Sequence, residues 1–236
     1  MSALKFNAKQ PATLWYNNPV LVQLLGLSPV LAVSTTVVNG LGLGLSTALI
    51  MVLSSVTVSL LRASINRQWR FVWFLMITAC YTTLLDIMLQ WFYFPLHKEL
   101  GIYVPLICCN FAVLTRLEAH AFTHHWRSSV KDAAVTGSGF IAALVVLSSL
   151  REFIGSGTLM ANWQLLLPAT SAAAFTSESS TVGGWFDFAL LLPAAFILLG
   201  LLIATRNLID SYLQTRLALP TGATEAIKRA RVTGSL

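Results

Sequence analysis

The chain has 236 residues, 56% hydrophobic and only 10% charged, with a formal net charge of +6 and a mean hydropathy of +0.73. An ordinary soluble domain carries roughly 25% charged residues, so a water-soluble globule is excluded and the lipid bilayer is the solvent this composition fits. The basic excess does not point to nucleic acid, because no basic surface interleaved with aromatics sits in a soluble module.

The first 18 residues hold Lys5, Lys9 and Pro11 without an apolar core, which predicts no cleavable signal peptide. Crossing a hydrocarbon layer of roughly 30 Å takes about 20 apolar residues. Six such runs follow in order: Pro19–Val38, Leu41–Leu61, Phe71–Phe94, Leu100–Leu117, Ala133–Leu150 and Phe186–Thr205. The predicted fold is an all-α integral membrane bundle over 1–212, with a basic tail over 213–236. Six spans put both termini and the second and fourth loops on one side, with Lys5, Lys9, Arg62, Arg67, Arg70, Arg116, Arg127, Lys131, Arg206, Arg216, Lys228, Arg229 and Arg231, thirteen cations against Lys98 and Arg151 opposite. The positive-inside rule then predicts cytoplasmic termini, and anionic inner-leaflet lipid suits the charge.

The first run is interrupted by Gly26-Leu27-Ser28-Pro29 and the fourth by Cys108-Cys109-Asn110. Backbone that leaves regular helix inside a bilayer strands N–H and C=O groups, so it persists only where protein, cofactor or water satisfies them. A weak internal repeat agrees with this pairing: Ser46–Ser55 resembles Phe140–Ser149, each followed by an arginine, Arg62 and Arg151. Those arginines fall on opposite sides, as two inverted three-helix repeats with broken first helices require. The breaks are therefore expected to meet.

Several polar residues compete for attention. Ser28-Pro29 alone is an ordinary kink, with serine satisfying freed backbone. Cys108 and Cys109 are adjacent and should diverge on a helix, and with Cys80 in another span the chain cannot build a four-thiolate site by itself. Asp86 is an acid within a span and so a candidate for ion or proton passage, or else it is solvated near the outer interface and needs no such role. Arg116 and Glu118 are two apart, the wrong spacing for a same-face pair, and should each bond loop backbone or a neighbouring helix. His120 and His124 have the i, i+4 spacing of a metal pair, but solvated interfacial histidines are the simpler reading. Gly40-Leu41-Gly42-Leu43-Gly44 is no phosphate loop, since it opens a span where small residues allow close packing.

The stretch from Asn17 to Val33, the segment Leu106-Ile107-Cys108-Cys109-Asn110-Phe111-Ala112-Val113-Leu114-Thr115-Arg116-Leu117-Glu118-Ala119 and the segment Arg151–Gly157 resemble the E subunit of Rnf-type electron-transport complexes. The D subunit of the sodium-pumping NADH:quinone oxidoreductase belongs to the same family. The resemblance covers nearly the whole chain up to about Tyr212. It implies a six-span subunit of a translocase, not catalytic alone, that pairs with a homologous A-type six-span subunit. The complex would couple electron transfer between ferredoxin and NAD pools to Na⁺ or H⁺ movement. The resemblance further implies a [2Fe-2S] cluster held in the membrane by the pair, two cysteines from each chain. Here the family's cysteine positions fall on Ser28 and Phe111, leaving Cys109, with Cys108 as a substitute, as the thiols nearest the expected site. Two alternatives stand beside this reading: a redox-inactive scaffold subunit of the same complex, and a secondary transporter with inverted repeats. Asp86 and Glu118 are the ion-pathway candidates.

Overall fold

The computed structural model describes residues 18–66, 68–157, 160 and 191–217, with side chains as far as Tyr212. Every regular element among them is helical: α1 (Leu27–Val33), α2 (Val37–Leu61), α3 (Arg70–Phe92), α4 (Phe94–Leu100), 3₁₀ turns at Gly101–Tyr103 and Pro105–Cys109, α5 (Phe111–Arg116), a π turn at Leu117–Ala121, α6 (Trp126–Ser156) and α7 (Leu192–Leu217). Four are long and apolar enough to cross a membrane: α2, α3, α6 and α7 as far as Tyr212. They correspond to the second, third, fifth and sixth predicted runs. The first and fourth runs are not continuous helices; each is a turn leading into a short helix. The loop expected between the fifth and sixth runs and the basic tail fall mainly on residues 158–159, 161–190 and 218–236, outside the described residues.

Two antiparallel helices make the centre. Thr36 is extended and its hydroxyl accepts from Asn39 N–H at 3.3 Å, which caps and starts α2. Along α2, the hydroxyls of Thr47 and Ser54 donate back to the carbonyls of Leu43 and Ile50, so polar groups are satisfied within the helix. The glycines then face α6 closely. A Cβ on Gly40 would lie 2.4 Å from Ser148 Oγ, one on Gly44 3.2 Å from Ile141 Cγ1, and one on Gly137 of α6 2.8 Å from Ala48 Cβ. This small-residue crossing is how membrane helices gain packing without a hydrophobic driving force between them, and it is the role expected of Gly40–Gly44.

On the other side of α2, α3 is tied by the 2.6 Å contact between Thr57 Oγ1 and Tyr81 OH, and α4 lays Leu96 and Leu100 over Gly42. The core of this body joins Val38, Leu43, Ile50, Met51 and Val58 of α2 to Phe74 of α3, Ile107 and Val113 around the second break, and Leu117 of the π turn. Contacts divide the chain at Leu199. The described part of the second unit, the C-terminal stretch of α7, carries the ion pair between Arg206 and Asp210 at 3.1 Å, an i, i+4 pair within its own helix.

Candidate functional site

The first break is built from the N-terminus of the described chain. Asn18 donates its amide to the Gly139 carbonyl of α6 at 2.9 Å, and its Oδ1 accepts from Val20 and Leu21 N–H at 3.0 and 3.2 Å. Residues 18–25 therefore form an anchored turn and not a stretch of regular helix. Leu24 (φ 55°) and Gly26 (φ 69°) both adopt left-handed backbone, a conformation that costs a side-chain-bearing residue such as Leu24 energy. From Gly26 the chain enters α1, placing Ser28 exposed and Pro29 buried.

The second break is capped by Asn110. Its backbone is extended (φ −69°, ψ 114°), and its Oδ1 accepts from Ala112 N–H at 3.0 Å, which starts α5. The two breaks touch. A Cβ on Gly26 would stand 2.6 Å from Asn110 Oδ1 and 3.2 Å from Phe140 Cε2 of α6, so glycine is required there by both φ and space. Around this contact residues of both breaks are open to the outside: Ser28 and Cys109 are exposed, and Phe111, directly after the second break, is 62% exposed.

The cysteines depart from the sequence expectation. Adjacent side chains diverge on a regular helix, yet on the 3₁₀ turn Pro105–Cys109 the Cys108 and Cys109 sulfurs lie 3.4 Å apart. For the [2Fe-2S] cluster that the resemblance implies, the donors do not fit the family's pattern. Ser28 offers a hydroxyl, harder and less suited to iron–sulfur chemistry than thiolate, and Phe111 offers nothing. Among the described residues, the only thiols at the breaks are two neighbours on one turn.

The far end of α1 is held by α6. Arg151, 1% exposed, donates from one terminal nitrogen to the Leu31 carbonyl at 2.9 Å and Ser34 Oγ at 2.8 Å, and from the other to the Leu191 carbonyl at 3.4 Å. Glu152, equally buried, accepts Val37 N–H through Oε2 at 2.7 Å. This arginine–glutamate pair satisfies the Leu31 carbonyl near the end of α1 and the first amide of α2 at a second interruption, Ser34–Thr36, which has no local signature in the sequence. Arg151 is thus a buried structural cation, not a loop charge.

The acids take separate positions. Asp86 of α3 faces His97 of α4, its Oδ1 3.2 Å from Nδ1, while Gln90 approaches His97 Nε2 at 3.3 Å. Glu118 of the π turn pairs with Arg70 of α3 at 2.5 Å, half-exposed. Arg116 points inward to Asp132 of α6 at 3.5 Å, both buried. Arg116 and Glu118 so bond neighbouring helices, as their spacing predicted; Asp132, just outside the predicted fifth run, was overlooked. His120 and His124 stack with ring centroids 4.0 Å apart and planes 7° from parallel. His120 Nε2 reaches Ser128 Oγ at 3.2 Å. Burial, the largest effect, holds the His120 imidazole below its usual range, with His124 and Arg116 pushing the same way and Asp132 opposing.

The family model described as "Rnf-Nqr subunit, membrane protein" matches residues 10–203. Relatives named as the E subunit of an ion-translocating oxidoreductase complex include that of Vibrio parahaemolyticus, 44% identical over 94% of this chain and 95% of the relative, and that of Pseudoalteromonas atlantica, 42% identical over 93% and 94%. That of Pseudomonas paraeruginosa is 44% identical over 94% and 93%. The chain belongs to the Rnf-Nqr family of membrane-protein subunits.

Proposed function

We propose that this chain is the membrane subunit of an ion-translocating oxidoreductase complex that passes electrons between ferredoxin and NAD pools and couples their flow to Na⁺ or H⁺ movement. The observation that carries the proposal is the contact of Gly26 with Asn110, around which Ser28, Cys109 and Phe111 stand exposed. Residues gathered at two touching breaks but left open to the outside suit a site completed by another chain, and a homologous A-type six-span subunit is the partner this reading assigns. The inverted-repeat reading has the same support. Each half leads from a break through a short helix (α1, α5) into a long one (α2, α6), and the matching runs Ser46–Ser55 and Phe140–Ser149 lie on that antiparallel pair.

The inner-membrane orientation is supported by the exposed cations. Arg62, Arg127 and Lys131 lie near the end where Ser59 Oγ meets the His124 carbonyl, whereas Arg151 at the other end is buried and bonded. Asp86 and Glu118 are the proposed ion-pathway groups, one in the last third of α3 and the other on the π turn against Arg70 at its start, acids that hydrocarbon does not tolerate without a partner or water.

Phe111 favours a second reading, the scaffold subunit of the same complex, because a ring at a family ligand position cannot bind iron. A cluster shared with the A-type partner would draw on this chain through Cys109. Electron paramagnetic resonance of the purified complex separates the two. A membrane [2Fe-2S] signal that Cys109→Ala abolishes supports the shared site; a signal that survives both Cys109→Ala and Cys108→Ala shows that this chain gives no thiolate; a wild-type complex without the signal supports the scaffold. A chain that does not co-purify with other subunits refutes membership of such a complex.

A further inference from the structure

We propose that Cys108 and Cys109 act as one two-point dithiol site for a thiophilic trivalent electrophile, of which an organoarsenical is the type. The inference rests on geometry at the turn and is independent of any cluster. Neighbouring residues seldom present their side chains to the same point, but the 3₁₀ turn Pro105–Cys109 brings these sulfurs within 3.4 Å. Two thiolates on one tetrahedral zinc or iron at about 2.3 Å would stand roughly 3.8 Å apart. The observed separation is closer than that, and suits a centre with narrower sulfur–centre–sulfur angles, as a three-coordinate pyramidal atom with a lone pair has.

The site is reachable. Cys109 is exposed and Cys108 half-buried, on a turn that ends directly at the Asn110 cap. The other free cysteine, Cys80 on α3, is also exposed, but its sulfur has no cysteine sulfur beside it among the described residues, which makes it an internal monothiol control. Soft sulfur donors favour soft acceptors, and the second sulfur adds no new affinity of its own kind. It converts the second bond into an intramolecular event at high effective concentration.

With phenylarsine oxide the reaction balances without electron transfer. Each sulfur forms a bond to arsenic, both S–H bonds break, and the two protons leave with the arsenic-bound oxygen as one water. Arsenic stays trivalent. The product bridges Cys108 and Cys109 and stiffens the turn beside Asn110, whose Oδ1 touches the Gly26 position.

The test uses the full chain purified in detergent apart from other subunits, with its thiols reduced and free of metal, so that neither a neighbouring chain nor a cluster on Cys109 can mask the pair. Phenylarsine oxide should protect Cys108 and Cys109 together from maleimide while leaving Cys80 labelled, and the intact mass should rise by one phenylarsenic bridge. The bridge should be removed by a dithiol such as dimercaptopropanol and resist a monothiol at the same concentration. Cys108→Ser and Cys109→Ser should each weaken protection by roughly a hundredfold, the gain expected from linking two binding events, whereas Cys80→Ser should change nothing. Protection of one cysteine alone, release by monothiol, or unchanged protection in either single variant would overturn the proposal.

Discussion

Replacing Gly137 by alanine should loosen the centre of the bundle, and the size of the effect follows from one distance. The new methyl would lie 2.8 Å from Ala48 Cβ and 3.2 Å from Ala48 Cα. Carbon atoms pack at about 3.5–4.0 Å, so α2 and α6 must separate by nearly 1 Å, and neither contacting atom is the tip of a flexible side chain. Overpacking of this kind costs roughly 1–3 kcal/mol, while alanine returns about 1 kcal/mol in helix propensity. The net loss is about 1 kcal/mol, a fall of about 2–4 °C in melting temperature for a chain of this size. Exchanging the pair tests the cause: Ala48→Gly with Gly137→Ala restores one methyl to the crossing and cancels the propensity terms, and should melt within about 1 °C of the native protein. Gly200→Ala, where no described atom lies within 4 Å, is the control and should not lower stability. Thermal unfolding of detergent-solubilised protein, followed by fluorescence-detected size exclusion, reads all four. If Gly137→Ala melts at or above the native temperature, or the exchange fails to rescue it, close approach at this crossing does not stabilise the bundle.

Asp86→Asn and Glu118→Gln should impair ion-coupled electron transfer in proteoliposomes while leaving assembly intact; normal coupling in both variants would make these acids structural. Glu152→Ala should cost roughly 1–3 kcal/mol, because the buried Val37 N–H loses its acceptor, and Glu152→Gln, which keeps an oxygen there, should cost less in the same melting assay. His120 gives a pH signature. Because burial holds its imidazole below the ordinary value of 6.5, the unfolded chain takes up the proton first, and folded stability present above that pH is lost as the pH falls below it. The native protein should therefore lose more stability than His120→Gln between pH 7.5 and 5.5, and equal losses would show that His120 does not contribute.

The sequence reveals the breaks but not their construction. Gly26-Leu27-Ser28-Pro29 and Cys108-Cys109-Asn110 stand out because each interrupts an apolar run, and the structure brings Gly26 against Asn110. The cap that anchors the first break, Asn18 on the Gly139 carbonyl, spans 121 positions and leaves no local trace. For the same reason apolar length alone does not show that the first and fourth runs are divided into turns and short helices. Hydropathy counts residues that avoid water; it does not register a left-handed Leu24 or an asparagine that starts a helix after a run of turns, so a buried irregular segment and a crossing helix score alike.

Charge is the subtler case. Positive-inside counting treats every lysine and arginine as a loop residue, and it assigns Arg151 to the outer surface. In the structure that guanidinium is nearly inaccessible and donates to the Leu31 carbonyl near the end of α1 and to Ser34 Oγ just beyond it, with Glu152 doing the converse for the first amide of α2. A helix interrupted in a low-dielectric medium leaves an acceptor end and a donor end close together, and adjacent residues of opposite charge on a facing helix can satisfy both at once. A buried Arg-Glu dipeptide at the end of an apolar run is therefore also a sign that some other helix is broken nearby. That sign is present at Arg151-Glu152, and the break it marks, Ser34–Thr36, lies within the run that hydropathy reads as a single span.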